Sequence, residues 1–444
     1  MENKRDILIQ LKAAHDRYAA VQEFRQRVEA APEQALASYP LLEPQKARTA
    51  LQDIRCCRSD STESNIYRQL LIQYNAEKIQ AIQDRQSALS YVNAGMKQTT
   101  ERVRSRAWLS HPEMRYNRGL IYVPVAFELS SGCSIQCPFC GLAAPRLTDI
   151  FRYTPAHARL WQEVLQASLE LIGSAAGMGP CYFATEPMDN PDYEQFLMDH
   201  QQIFGFLPQT TTAAAHREPE RIHAFMDWLG ETELQKGALR FSLYSLAQAK
   251  KIWASYTPEE LLDIELLANN PESDNRISYT GRCRKEREDL TKRCDYSISC
   301  LAGIWVSMTQ KVMKWIEPEA PSEQYPLGIR ILETRSFQNG PSFREGMAAL
   351  IEHWAGREIP RQEPVRILPG CQLEHRGQLA ILHCLGSTMK MGGNDCFQQA
   401  MDLLVQQPQS FTKLREKLRL AEFTAEPLRQ KLNILWQRGY ICRA

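Results

Sequence analysis

A chain of 444 residues, 43% hydrophobic and 24% charged, is long enough for two or three domains and has the balance of an ordinary soluble protein. Its formal net charge of +1 gives no electrostatic reason to count nucleic acid or a membrane among its partners. No apolar run could span a bilayer, the start Met1-Glu-Asn-Lys-Arg-Asp has no apolar signal region, and the 13 cysteines are scattered, which together predict a reducing, cytoplasmic home with most thiols free.

Residues 1–115 read as a helical region. Ile7, Leu11, Ala14 and Tyr18 lie at helical spacing, as do Ile66, Leu70 and Tyr74 further on. The pair Cys56-Cys57 sits in a polar connector, too close together for a useful two-ligand bite, and no chemistry is legible here.

From Ile121 the pattern becomes strand, turn, helix, repeated over residues 116–358. Ile121-Tyr-Val-Pro-Val-Ala-Phe-Glu-Leu is the first strand, and Cys181-Tyr-Phe-Ala-Thr, Phe206–Ala215 and Leu239-Arg-Phe-Ser-Leu-Tyr are the next three. Helices are predicted after Thr154-Pro155, Asn190-Pro191, Glu218-Pro219 and Thr257-Pro258, the last with Leu261, Ile264 and Leu267 on one face. Proline near the first helical position lacks only an N–H that has no partner there anyway. Such alternation predicts an α/β fold with a parallel sheet whose working groups gather at the carboxyl ends of the strands. A doubly wound sheet would read similarly in outline; the cysteine loop after the first strand favours a partial barrel.

That loop is Cys133-Ser-Ile-Gln-Cys137-Pro-Phe-Cys140, which turns three thiols toward one point. Thiolates hold iron–sulfur clusters or zinc. With no fourth cysteine nearby, a cubane would keep one iron open, whereas a structural zinc knuckle wants a closed set of four ligands. The spacing, with an aromatic residue before the third cysteine, resembles the signature of the radical S-adenosylmethionine enzymes.

The resemblance implies a partial (β/α)6 barrel and one [4Fe-4S] cluster on Cys133, Cys137 and Cys140. It also implies S-adenosyl-L-methionine on the open iron and an external electron donor. Glu186, in Thr-Glu-Pro, matches the acidic residue that takes the cofactor's amino group, although Ala184 and Thr185 stand where glycines are usual. Arg240 and Ser242 match positions that hold its carboxylate and ribose, Thr211 or Thr212 the polar pair of the third strand, and Phe139 the adenine contact.

Beyond Asn270, the run Arg282-Cys-Arg-Lys-Glu-Arg-Glu-Asp reads as a solvated helix. Ser297–Met308 returns to strand character, with Met313-Lys-Trp-Ile as the second arm of a hairpin. Residues 359–369, proline-rich and charged, read as a linker. Residues 370–444 then give three short strands (around Cys371, Leu379 and Ser387) and three helices with Asn394, Ser410 and Thr424 as caps. Three strands followed by three helices make a winged-helix-like unit, here without the dense basic stripe that DNA binding requires. It is similar to the peptide-recognition element of ribosomal peptide maturases, the small chaperone of pyrroloquinoline quinone biosynthesis among them. Such units take a leader peptide as an added strand, and Ser387-Thr-Met-Lys-Met is the expected edge.

The combination resembles the radical epimerases of the proteusin type, which convert L to D residues in ribosomally made precursor peptides. Glu128-Leu-Ser-Ser-Gly-Cys133, Thr185-Glu-Pro-Met-Asp-Asn-Pro and Cys300-Leu-Ala-Gly carry that likeness. It implies removal of an α-hydrogen by a 5′-deoxyadenosyl radical and return of hydrogen from a thiol on the opposite face. Cys300 is the expected donor, at the open end of the barrel, with Cys371 and Cys294 in reserve and Cys181 buried in its strand. Cys371, Cys384, Cys396 and Cys442 have no close pair in sequence, so one cluster is expected. The rival readings are a radical maturase that crosslinks or excises, and a zinc-containing peptide-binding scaffold without catalysis.

Overall fold

The computed structural model describes residues 2–55, 65–110, 122–231, 238–273, 275, 277–286, 293–294, 300–385 and 387–444. Cys56, Cys57, Ile121 and residues 297–299 lie outside that set, as does the side chain of Cys294.

The N-terminal region is a helical layer: α1 (Glu2–Ala20), α2 (Gln22–Ala30), α3 (Pro32–Ala35), α4 (Pro44–Arg55), α5 (Ile66–Ala88) and α6 (Ala94–Ser110). Leu11, Ala14, Tyr18, Leu51 and Leu71 form its own apolar cluster. It is tied to the middle of the chain by polar contacts. Asn270 Nδ2 donates to the Ala20 carbonyl at 2.7 Å, and Arg25 Nη2 to that of Glu272 at 3.0 Å.

The α/β part holds two principal sheets. In the first, β1 (Val123–Glu128) runs parallel to β9 (Leu301–Ser307), which continues antiparallel into β10 (Val312–Pro318) and β11 (Ile329–Ser336). In the second, β4 (Thr210–Thr212), β5 (Leu239–Leu243) and β6 (Glu265–Ala268) are all parallel. Short pairs β2 (Ser130–Ser131) with β3 (Asp149–Ile150), and β7 (Ile277–Ser278) with β8 (Arg293–Cys294), complete this part. The fold is therefore mixed α/β, but the described strands do not form one six-stranded barrel sheet.

The gap falls at the expected second strand. Pro180 lacks an N–H, and Ala184 adopts a positive φ of 60°, so Cys181–Thr185 makes one bridge, Tyr182 against Glu128, and no strand. The segment still joins β1, because the Phe127 N–H donates to the Pro180 carbonyl and the Phe183 N–H to that of Phe127, both at 2.9 Å. Pro208 likewise cuts the expected strand 206–215 down to Thr210–Thr212.

Helices α7 (Pro155–Ile172), α8 (Tyr193–Phe204), α9 (Pro219–Glu231) and α10 (Leu246–Ser255) cover these sheets. Thr154 caps α7 through its hydroxyl, and Phe127 meets Trp161 edge-on at 5.1 Å. Beyond Thr257-Pro258 no long helix forms. One tight turn at Glu260–Leu262 leads into β6, so Leu267 lies opposite Ser242 instead of on a helix face. Apolar residues three apart in so short a run suit either form, and the open edge of β5 decided it. Ser245, among the polar residues expected at the site, is the N-cap of α10.

After α11 (Cys283–Glu286) and α12 (Gly340–Trp354), the segment expected as a linker carries β12 (Val365–Ile367). Ile359, Val365, Ile367 and Leu368 are buried in the C-terminal apolar cluster, and β12 pairs with β16 (Ile441–Arg443). Between them lie β13 (Gln372–Arg376), β14 (Leu379–Cys384) and β15 (Ser387–Gly392), then α13 (Asp395–Gln406), α14 (Phe411–Lys417) and α15 (Glu426–Gln437). Asn394 and Ser410 cap α13 and α14, while Ala425 stands at the N-cap of α15 and Thr424 gives it no side-chain cap.

Candidate cysteine-loop site

Strand β1 ends at Glu128, and the chain goes straight into the cysteine loop, whose base is closed by the pairing of β2 with β3. Gly132 there has a φ of 85°, and a Cβ on it would stand 2.2 Å from the Arg146 carbonyl oxygen. The loop is wound on its own backbone. The Cys133 N–H donates to the Pro145 carbonyl at 2.9 Å, that of Cys140 to Cys137 at 3.1 Å, and Gln136 Nε2 to Cys133 and Pro145 at 2.7 and 2.8 Å.

Cys133 is buried, and Cys137 and Cys140 are half-buried. Burial pushes the Cys133 and Cys137 thiols upward, and the neighbouring Cys133 and Cys140 push Cys137 further, so the three thiols are electrostatic neighbours. Among the described residues no group of three or more His, Cys, Asp or Glu side chains surrounds a point that one metal ion could fill. The three thiols are therefore not drawn onto one ion-sized point as the spacing predicts; in a cubane each thiolate would bind a different iron.

Three distant residues brace this loop, and sequence reasoning missed all of them. Asp189 accepts the Ser134 N–H at 2.7 Å and its hydroxyl at 2.5 Å, and Arg217 Nη1 donates to that hydroxyl at 2.9 Å. Arg282 grips the loop from behind. Its Nε donates to the Cys137 carbonyl at 2.9 Å, and its Nη1 to Gln136 Oε1 at 2.9 Å and the Ala144 carbonyl at 2.8 Å. The Nη2 of Arg282 is buried with no hydrogen-bond partner among the described residues. Cys283, 2% exposed, turns its thiol to the Pro138 carbonyl at 3.9 Å. The expected solvated helix thus begins with two residues packed on the cysteine loop; residues 287–292 lie outside the described set. An arginine-rich run by itself gives no sign of this docking.

Glu186 lies within electrostatic reach of Cys133 and Cys137, although its carboxylate is turned inward. Oε1 accepts the Thr212 hydroxyl at 2.5 Å and the Met188 N–H at 3.2 Å, and Oε2 accepts the Ala213 N–H at 2.8 Å. Burial raises its pKa to about 7 in spite of these donors. One acceptor position remains on Oε2. Thr212 is therefore a partner of Glu186, and Thr211 belongs to a second group, where it takes hydrogen bonds from Tyr182 at 2.8 Å and Arg240 Nε at 2.9 Å. Ser242 is buried, with its carbonyl held by Gln248, and Phe139 is half-buried between Cys137 and Cys140.

Two expected hydrogen donors need correction. The Cys300 carbonyl accepts the Val123 N–H at 2.8 Å, so Cys300 sits where β1 and β9 begin. The cysteine loop leaves the opposite end of β1, about 16 Å away at the usual strand rise. A strand residue's end follows from its pairing partner, which sequence does not reveal. The Cys300 thiol does have Arg240 as an electrostatic neighbour. Cys371 is not a free thiol: it forms a disulfide with Cys384, brought opposite it by the β13–β14 hairpin, which removes it as a reserve donor. Cys181 is fully buried, as expected.

Glu128 is a further candidate. It is 7% exposed, accepts the Trp305 indole N–H at 3.2 Å, and is pushed up by burial to about 7. Lys314 Nζ lies 4.4 Å from the centre of the Trp305 ring. An acid closing an apolar strand, Val-Pro-Val-Ala-Phe-Glu, was the available sequence signal.

The chain matches no known protein-family profile. The uncharacterized protein y4wI of Sinorhizobium fredii (strain NBRC 101917 / NGR234) is 38% identical over 240 residues, which is 51% of this chain and 46% of that protein. The chain thus spans about half the length of this curated relative. The crystal structure of BtrN in complex with AdoMet and 2-DOIA superposes with a TM-score of 0.30 at 14% identity, over 44% of this chain and 72% of that one. A likeness at that score carries no argument. No helix of the described residues is long and apolar enough to cross a membrane.

Proposed function

We propose that Cys133, Cys137 and Cys140 hold one [4Fe-4S] cluster and that the protein is a radical S-adenosylmethionine enzyme acting on a ribosomally made precursor peptide. The observation that carries this reading is the loop: three neighbouring thiols at the carboxyl end of a parallel strand, beside a buried guanidinium N–H with no partner among the described residues. A thiolate-bound cluster is anionic, and that N–H suits its charge. When bound and reduced by an external electron donor, the cluster and S-adenosyl-L-methionine supply a 5′-deoxyadenosyl radical.

The chain's own residues then have defined tasks. Arg282, Gln136 and the Asp189–Ser134 pair fix the loop before the cluster loads. Glu186 offers its remaining acceptor position to the cofactor's amino group, and Phe139 offers its ring to the adenine. Arg240 and Ser242, with Thr211, form the polar wall beyond. Substrate conversion is epimerisation of L to D residues, with hydrogen returned by a thiol on the face opposite the cofactor. The leader adds to β15, an edge of the sheet ordered β13-β14-β15 whose Thr388 and Lys390 are exposed.

The test is anaerobic reconstitution, then co-expression with neighbouring precursor genes and chiral amino-acid analysis. D residues in a product of unchanged mass are expected; a mass change would replace epimerisation by crosslinking or excision. If a variant with Cys133, Cys137 and Cys140 all replaced by Ala still split S-adenosylmethionine, the cluster assignment would fall.

A further inference from the structure

Far from the cysteine loop, α6, the end of β10 and the β12–β16 pair enclose a cavity of about 380 Å3. Arg106 and Ser110 of α6, Tyr122, Glu319, Arg366 of β12 and Cys442 of β16 supply its polar lining. Strand alternation explains Arg366: its neighbours Val365 and Ile367 are buried in the C-terminal cluster, so the side chain between them faces the other way. Cys442 lies beside it and is under the influence of both Arg366 and Arg106.

The surroundings are cationic. Arg102 pairs with Glu317 at 2.6 Å, and Arg443 lies 3.9 Å from the same carboxylate and 3.0 Å from Glu363. Arg330 pairs with Glu319 at 3.3 Å and donates to the Ala444 oxygen at 3.0 Å. Arg106 spends one N–H on the Pro318 carbonyl. Glu319, the acid in the lining, is paired with Arg330 and is also an electrostatic neighbour of Arg106, and Arg366 has no carboxylate partner among the described ion pairs. Within the lining, the Nε of Arg366 is buried with no hydrogen-bond partner among the described residues. Buried cationic N–H groups without acceptors are costly, and an arginine fork is shaped for the oxygens of a carboxylate or phosphate. Room for a small ligand, two arginines and an unmet donor of Arg366 occur together here.

We propose that this junction cavity is a binding site for an oxyanion, a carboxylate or phosphate group, taken up by Arg366 and Arg106, with the hydroxyl of Tyr122 as a neutral partner. The site is independent of the cysteine loop. Because α6, the first sheet and the C-terminal strand pair all contribute to it, occupancy links the three and stabilises the folded chain by mass action.

The experiment uses the full-length chain, with thermal melts and calorimetric titration. Inorganic phosphate and N-acetylglutamate are titrated separately, each against sodium chloride of matched ionic strength. A saturable rise in melting temperature with one probe and not with chloride is expected, and which probe acts identifies phosphate or carboxylate as the ligand. Arg366→Gln should weaken binding at least tenfold and Arg366→Lys by less, since lysine keeps the charge but loses the fork. Should Arg366→Gln fold poorly, Ser110→Leu fills the cavity with both arginines intact and should abolish the same response. The proposal is overturned if neither probe exceeds the chloride control. It is equally overturned if Arg366→Gln, folded by circular dichroism, or Ser110→Leu responds like the parent chain.

Discussion

The Arg282 side chain donates its Nε–H to the carbonyl of Cys137 at 2.9 Å, across 145 residues of sequence. The same guanidinium fixes Gln136 and Ala144, so one residue from outside the loop sets the path of the backbone between the candidate ligands. A hydrogen bond to a charged donor is worth about 1.5–3 kcal/mol. Arg282→Ala should therefore lower iron content after anaerobic reconstitution by about tenfold, with Arg282→Lys rescuing little because one ammonium cannot span three acceptors. Gly281→Ala is expected to act the same way. Its φ is 55°, and an added Cβ would stand 2.4 Å from the Cys140 carbonyl oxygen. Colorimetric iron assay with the visible absorbance spectrum checks both; full iron in either variant would remove the brace from the account.

Glu128 predicts a pH dependence of stability. Its carboxyl is raised from 4.5 to about 7 by burial, so in that window the folded chain holds a proton that the unfolded chain releases. Its stabilising contribution is complete below pH 4.5 and is lost as pH rises through about 7. The loss amounts to about 3 kcal/mol at most. Glu128→Gln mimics the protonated form and should raise the melting temperature at pH 8 while changing little at pH 4.5. Equal shifts at both pH values would show that the carboxyl does not titrate in this window.

The Cys371–Cys384 disulfide closes a hairpin loop with a sequence separation of 13 residues. Cross-linking of that length contributes about 3 kcal/mol through the unfolded chain. A Cys371→Ser, Cys384→Ser variant should melt several degrees lower, and reducing agent should lower the parent chain to match it. A parent melting curve indifferent to reductant, with two extra thiols found by titration under native conditions, would show the pair to be open in solution.

Cys300 lies at the end of β1 opposite the cysteine loop, so it is not expected to return hydrogen. Cys300→Ala should retain cluster absorbance, peptide-dependent 5′-deoxyadenosine and a normal yield of D residues. Loss of D residues alone, with 5′-deoxyadenosine intact, would restore the donor role to Cys300.

How much was legible in advance differs from element to element. The cysteine loop, the side-chain oxygen caps at Thr154, Asn394 and Ser410, and the alternation of strands with helices are encoded within about ten residues of chain each. Local chemistry sets them: a cap needs its own oxygen near the first free N–H groups, and three closely spaced thiols must share a turn. The second strand failed for an equally local reason, Pro180 and the left-handed Ala184, which a β-rich composition concealed.

What sequence alone determined about this protein is accordingly the identity of the thiol loop and the type of most elements. Tertiary structure decided which residues meet. Arg282 and Cys283 reach the loop because α11 docks there, and Glu186 turns inward because Thr212 and Ala213 present donors to it. Cys300 lies at the far end of β1 because β9 pairs with β1 in parallel. Cys371 meets Cys384 because a hairpin folds back on itself. In each case the partner is distant along the chain and is selected by burial and by the pairing of strand edges, energies that exist only once the chain has closed on itself.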